Sequence, residues 1–416
     1  MTHRKPPPGI SADDAREAID KVAARLRDPE VVQASGARAD SLAAGHPGVA
    51  LLFTTLAADR GGDARTVAHA HLAAAIRAEG GLHTTGLYSG TAAVAFAARL
   101  AATGPDAYRS LLTTLTPRIA EAAVERARQL RTARAAGEGV PAHLYDAVSG
   151  TAGLARLLLA LDPHGPALRA CLEALVALAE PVATAHGTLP GWWAAGGPGL
   201  GGPSAQYPRG HLNLGLAHGI PGPLAVLALA HEQGVGVAGQ EEAVARFAGW
   251  LAARQCEDSY GAYWPMVLRA EDELDGGAPP ALATRAAWCY GTPGVARALF
   301  LAGRALDEPG WRRAAARSLH TVLDRPASSW GLEGPGLCHG PAGLLHIAAR
   351  MAYDADDAAL AARLPSLAAE VRDALDGPCE PGFLEGAAGA ALALHTYATA
   401  KALTQPLAWD TALLLG

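Results

Sequence analysis

The chain has 416 residues, half of them hydrophobic, only 5% aromatic, and a formal net charge of −6. Alanine and leucine dominate, so a large helical core is favoured over sheet. The mildly acidic balance excludes a nucleic-acid footprint, and no apolar run approaches the roughly 18 residues of a membrane span.

The opening Met1-Thr2-His3-Arg4-Lys5-Pro6-Pro7-Pro8 lacks the apolar centre of a signal peptide. It predicts a disordered tail over residues 1–10, with 11–416 forming one domain. Glu17–Arg27 is amphipathic, with Ile19, Val22 and Leu26 on one face. A Gly-x-x-Gly turn then recurs seven times, at Gly45, Gly90, Gly150, Gly219, Gly291, Gly340 and Gly386. The second copy has Ala93 in place of its second glycine.

Each turn opens an apolar helix. Leu224–Ala230, Val295–Ala302 and Leu344–Ala349 are apolar nearly all round, which predicts burial. Pro221, Pro293 and Pro341 fall in first helical turns, where a missing N–H costs little. Between the turns lie more polar helical stretches: Ala64–Ala78, Ala107–Arg134, Pro166–Ala185, Gln240–Arg254, Trp311–Asp324 and Asp356–Leu375. Seven amphipathic and seven buried helices predict an all-α protein, an α/α toroid (barrel) with an inner and an outer ring. Two irregular insertions, at about 187–214 and 256–284, are expected at the mouth of the site. Trp192, Trp193 and Trp264 within them are candidates for a peptide-binding wall.

Chemistry concentrates just before the turns. Cys289 lies two residues before Gly291, and Cys338-His339 immediately precede Gly340. Two thiols and an imidazole are three good zinc ligands, leaving a fourth position open. A purely structural zinc would need one more side chain; His346 is the nearest in sequence, but its helix predicts packing. His218 immediately precedes Gly219, and Asp146 lies four before Gly150, where it has the alternative of capping the helix. If the buried helices share a ring, these residues converge on one rim. Cys171, Cys256 and Cys379 read as inert packing. His46, His83, His143 and His211 carry no role. Trp288 and Tyr290 suit either the substrate mouth or aromatic packing.

Four motifs occur in order: Tyr145-Asp146-Ala-Val-Ser149-Gly150-Thr-Ala-Gly153, Asn213-Leu214-Gly215-Leu216-Ala217-His218-Gly219, Arg285-Ala-Ala-Trp288-Cys289-Tyr290-Gly291 and Cys338-His339-Gly340. Together they resemble the lanthionine synthetase C (LanC) family, as does the closing Trp409-Asp410 with its leucine tail. The resemblance implies a toroid with one central Zn²⁺, bound by Cys289, Cys338 and His339. It implies an acid/base pair of His218 and Asp146, and an arginine, Arg285, needed beside the metal.

The implied activity is that of a stand-alone lanthipeptide cyclase. A cysteine thiol of a peptide adds to dehydroalanine or dehydrobutyrine, closing a thioether ring. A free thiol with a pKa near ~8.5 is mostly protonated at neutral pH, and coordination to zinc removes that proton. Addition leaves an enolate, and a histidine suits protonation of its α-carbon. His218 takes that task here; Arg285 either stabilises the enolate or holds Asp146. Expected partners are a dehydrated precursor peptide with a leader, a separate dehydratase and a membrane exporter. No nucleic acid is expected, and the location would be cytoplasmic, with membrane association through a biosynthetic complex. The rivals are another zinc-thiolate transferase on an α/α barrel (glutathione or prenyl transfer) and a non-catalytic peptide-binding scaffold with structural zinc.

Overall fold

The computed structural model describes residues 9–77, 82–83, 86–199, 204–276 and 284–416. The expected tail over 1–10 falls almost wholly outside them, as do residues 200–203 and 277–283 of the two insertions. The chain forms two compact units. One comprises residues up to Ile119, Pro326–Ala412 and Gly416; the other comprises Ala120–Arg325 and Leu413–Leu415.

In the first unit the buried helices are His46–Arg60, Gly90–Ala101, Pro341–Asp354 and Ala387–Thr399. They pack side by side in the order Pro341–Asp354, Ala387–Thr399, His46–Arg60, Gly90–Ala101. Burial is nearly complete: every residue from Pro341 to Ala352 is buried. Alanine and glycine at so many positions let these helices approach closely. The amphipathic helices Ala12–Leu26, Ala64–Ile76 and Leu364–Leu375 cover them. Ala12–Leu26 begins five residues earlier than the apolar pattern alone predicts, because Ser11 and Asp14 form a capping box. It packs on Ala387–Thr399, so the first helix of the chain is seated on the last buried one. Its Ile19, Val22 and Leu26 are buried, each contributing roughly 1.5–3 kcal/mol relative to exposure.

In the second unit Thr151–Leu161, Pro221–Glu232 and Thr292–Ala305 pack in sequence order. Pro166–Val176, Gln240–Ala253 and Pro309–Asp324 lie against them, each on the buried helix that precedes it. The long helix Arg109–Ala136 leads into this unit.

Two expected helices are interrupted. The one read over Pro166–Ala185 stops at Val176, and a hairpin of Val182–Thr184 with Gly187–Leu189 follows. Pro181 has no N–H to continue a helix, and Gly187 turns the chain at φ +123°. The stretch Asp356–Leu375 divides into Ala358–Ala361 and Leu364–Leu375, with Pro365 in the first turn of the second piece. Apart from Val182–Thr184, the strands lie in the insertions. Cys256–Asp258 pairs with Gly261–Tyr263, while His211–Asn213 pairs antiparallel with Val267–Arg269 and ties the two insertions together.

The tryptophans of these insertions form no exposed wall. Trp192, Trp193 and Trp264 retain at most 4% exposure. Trp264 donates its indole N–H to Leu251 O, Trp193 donates to Arg209 O, and Trp192 meets Phe247 and Trp250 edge-on. Burying these large rings stabilises loops that have little secondary structure of their own.

The closing segment is fixed by a buried ion cluster in the first unit. Asp410 accepts from Arg350 Nε at 2.7 Å and pairs with His346 Nε2 at 2.7 Å, with no exposure of Asp410 or His346. His346 also lies tilted against Trp409, ring centroids 4.2 Å apart, so it packs within its helix as expected. Burial opposes charge on Asp410, but Arg350 and His346 hold its pKa far below the usual carboxylate range. Asp410→Ala would leave Arg350 buried without its anion. We expect a loss of about 3–5 kcal/mol in urea unfolding, against under about 0.5 kcal/mol for Tyr353→Ala at an exposed site.

Acid should weaken the first unit. His71 donates Nε2–H to Leu26 O, so its Nδ1 accepts from His46 Nδ1–H at 3.1 Å. Burial first, then the neighbouring His71 and Arg77, push His46 down to about 4. Its unfolded value is about 6.5, so between those values only the unfolded chain binds the proton. Stability therefore falls as pH drops from 6.5 towards 4, by on the order of 3 kcal/mol from this group. Thermal unfolding across that range checks it, and His46→Asn should flatten the slope.

Candidate active site

The turn glycines are sterically required. A Cβ on Gly340 would lie 2.5 Å from Gly336 N, and one on Gly386 would lie 2.4 Å from Gly382 N. The second glycines meet carbonyls: Gly294 against Trp288 O at 2.4 Å and Gly389 against Phe383 O at 1.8 Å. Each loop thus folds back on the start of its helix, and both glycines are needed for the approach.

The loops are also joined to one another. In the second unit Ala147 N donates to Ala217 O at 3.0 Å, and Ala217 N donates to Cys289 O at 3.3 Å. In the first, Cys338 N donates to Leu384 O, Leu384 N to Ala43 O, and Leu42 N to Tyr88 O. The accepting carbonyl always lies two residues before a turn glycine. Cys289 and Cys338 occupy that position, so the backbone that joins the loops also fixes both thiols.

In the second unit these bonds bring Asp146 to His218. Asp146 Oδ2 lies 2.7 Å from His218 Nδ1. Its Oδ1 accepts from the backbone N–H groups of Val148, Ser149 and Gly150, at 3.1, 2.7 and 2.8 Å. These N–H groups belong to the turn before Thr151–Leu161, which has no side-chain cap, so Asp146 fixes the turn and not the helix end: one oxygen anchors the carboxylate and the other faces the imidazole. The Asp146 side chain is 2% exposed and that of His218 is 41% exposed. His218 Nδ1–H donates to the carboxylate, which leaves Nε2 as the ring nitrogen that Asp146 does not hold. Burial disfavours the charged ring, but the Asp146 hydrogen bond and charge, with Cys289 adding, raise its pKa above the ordinary value.

Tyr290 is half-buried beside this pair, its ring 6.2 Å from that of His218. Its hydroxyl accepts from Asn213 Nδ2 at 3.1 Å, and Asn213 Oδ1 accepts from Gly215 N at 2.9 Å. Asn213 is thus an organising residue that its place in a motif did not reveal. Trp288 has no exposure and donates its indole N–H to Leu413 O, so of the two aromatics only Tyr290 is at the surface of the site. Half-buried Arg285 opens the loop that Gly291 closes, and a Cβ on Gly291 would fall 1.8 Å from Arg285 O.

Cys289, Cys338 and His339 each offer one ligand atom, and these atoms lie within 4.8 Å of one another. Tetrahedral zinc, with Zn–S near ~2.3 Å and Zn–N near ~2.0 Å, needs donors roughly 3.5–4 Å apart, so the set fits. Among the described residues this is the only such group of histidine, cysteine and carboxylate donors, and no fourth member joins it. All five cysteines are free thiols. Cys171 packs as expected: it is buried and its thiol is pushed up to about 12. Tyr88 backs Cys338; burial raises its pKa, with Cys338 adding, and its hydroxyl donates to Ala412 O.

The model of the family "Lanthionine synthetase C-like protein" matches residues 36–414. The chain belongs to that family. Nisin biosynthesis protein NisC of Lactococcus lactis subsp. lactis is 26% identical over 340 residues, covering 80% of this chain and 78% of NisC. The solved structure of nisin cyclase superposes with a TM-score of 0.78 at 22% identity, covering 97% of each chain. The fold is accordingly the α/α toroid that the seven turns predict.

Asp146→Asn would keep an acceptor for the three backbone N–H groups and remove the charge facing His218. We expect an NMR titration to place the His218 pKa lower in Asp146→Asn than in the parent chain. The protonated ring would then be lost at lower pH.

Proposed function

We propose that this protein is a zinc-dependent lanthipeptide cyclase. The observation that carries the reading is the meeting of Cys289, Cys338 and His339 with no fourth protein donor among the described residues. Family membership and the likeness to NisC support it. The substrate would be a ribosomal precursor peptide with a leader, dehydrated at serine and threonine by a separate dehydratase. A membrane exporter would take the product. No described helix is long and apolar enough to cross a membrane, which is consistent with work in the cytoplasm beside such partners. Residues 11–416 would act as one domain, and the family match across 36–414 supports this.

Cys289, Cys338 and His339 would hold the zinc. When bound, zinc supplies the Lewis acidity that lowers a peptide thiol's pKa from about 8.5 and favours its thiolate. The peptide sulfur then bonds to the β-carbon of a dehydroamino acid, and the C=C electron pair moves onto the adjacent carbonyl as an enolate. The α-carbon takes a proton from His218, through Nε2, the ring nitrogen that Asp146 does not hold. Asp146 stabilises the imidazolium and orients it through Nδ1. Its own carboxylate is kept in register by the three backbone N–H groups. Arg285, on the Cys289 loop, would stabilise enolate charge or the acid/base pair. The overall change breaks one S–H bond and one C=C π bond, and forms one C–S and one C–H bond.

The test is a thiol-alkylation assay, because ring closure conserves mass. Incubation with a dehydrated cysteine-containing peptide should make its thiols resistant to alkylation. His218→Ala should slow that protection by about 10²-fold or more, and Cys338→Ala should abolish it together with zinc retention. A peptide-binding scaffold predicts equal alkylation with or without the protein.

A further inference from the structure

The residue immediately before each turn glycine is Ala44, Ser89, Ser149, His218, Tyr290, His339 or Glu385. It escapes full burial in all seven loops, although the glycine that follows it is buried every time. His218 and His339 occupy this position and supply chemistry already assigned. Glu385 is the only carboxylate there.

Its placement follows from the backbone of the first unit. Gly340 (φ −105°, ψ 177°) and Gly386 (φ −113°, ψ −174°) have nearly the same conformation, so His339 and Glu385 occupy equivalent places in two like turns. The two loops are neighbours, since Cys338 N donates to Leu384 O at 2.8 Å. They are in contact too: a Cβ on Gly336 would lie 2.5 Å from Glu385 Cα. Leu384 is 7% exposed and Ala387 has no exposure, whereas Glu385 is exposed.

The carboxylate has no hydrogen-bond or ion-pair partner among the described residues. Others near the loops are already engaged: Asp40 pairs with Arg38, Asp146 with His218, and Asp410 with Arg350. An exposed anion with no partner among the described residues, on the loop whose backbone bonds Cys338, has no stabilising role in the resting fold.

We propose that Glu385 is a specificity-determining residue that receives a cationic side chain, lysine or arginine, flanking the reacting cysteine of the peptide. This rests on the cyclase reading, in which that cysteine is delivered to the Cys338-His339 loop. The carboxylate then selects among peptide segments by charge and takes no part in bond making.

The experiment uses the zinc-loaded full chain and three peptides, each with one dehydroalanine and one cysteine flanked by lysine, alanine or glutamate. We expect KM to rise in the order lysine, alanine, glutamate, by about three-fold per step for a solvent-exposed ion pair. Added salt should compress the differences. Glu385→Gln should erase the ranking and Glu385→Lys should invert it; the thermal midpoint should stay put, since the side chain is exposed. The same ranking, unchanged in all three proteins, would overturn the proposal. A second arm measures binding of fluorescein-labelled, undehydrated versions of these peptides by anisotropy. If no peptide is cyclised, the cyclase reading fails on its own, and the binding order still decides the role of Glu385.

Discussion

A single backbone contact underlies the architecture: the carbonyl two residues before a turn glycine accepts an N–H from a neighbouring loop. It recurs at Leu384, Ala43, Tyr88, Ala217 and Cys289. The contact requires loops that fold back tightly, and only glycine fits where Cβ would fall within about 2.5 Å of backbone. Its consequence is positional. Side chains at two successive residues of every loop are fixed before any is chosen for chemistry, and cysteine or histidine at those positions yields donors with defined geometry. Elsewhere the same two positions hold other residues, among them Ala43-Ala44, Tyr88-Ser89 and Val148-Ser149.

Asp146 shows how one residue can serve the fold and the chemistry together. Three backbone N–H groups fix one oxygen, so the other meets His218 without the entropy cost of a mobile carboxylate. The imidazole gains a raised pKa and a fixed tautomer while staying partly exposed to solvent. The paired strands His211–Asn213 and Val267–Arg269 run directly into the loop, and Leu214 N donates to Met266 O. Two long insertions therefore form the structural base for His218, and their tryptophans are core residues of that base.

Much of this was legible in the chain. The glycine spacing located the start of every buried helix, and small apolar residues on all faces marked Val295–Ala302 and Leu344–Ala349 as interior. The grouping of Cys289, Cys338 and His339 was readable because cysteine and histidine beside turn glycines have few other uses. What could not be read was local pairing. Strands of three residues, such as Val182–Thr184, are too short for alternation to register, so the hairpin was hidden in an apparent helix. Partners of buried polar groups also depend on distant chain: Trp264 with Leu251 O, and Asn213 with Tyr290. Trp192 and Trp193 read as surface aromatics because glycine and proline around them suggested an open loop, whereas Trp192 packs against Phe247 and Trp250 and Trp193 donates its indole N–H to Arg209 O.

The account depends on a metal held by Cys289, Cys338 and His339 with one position kept for a peptide sulfur. X-ray absorption at the zinc edge of the purified chain tests this directly. The spectrum should fit two sulfurs with one nitrogen and one light atom, and a third sulfur should replace the light atom when a cysteine-containing peptide is added. A site already saturated by four protein ligands, or a sulfur count unchanged by the peptide, would contradict it.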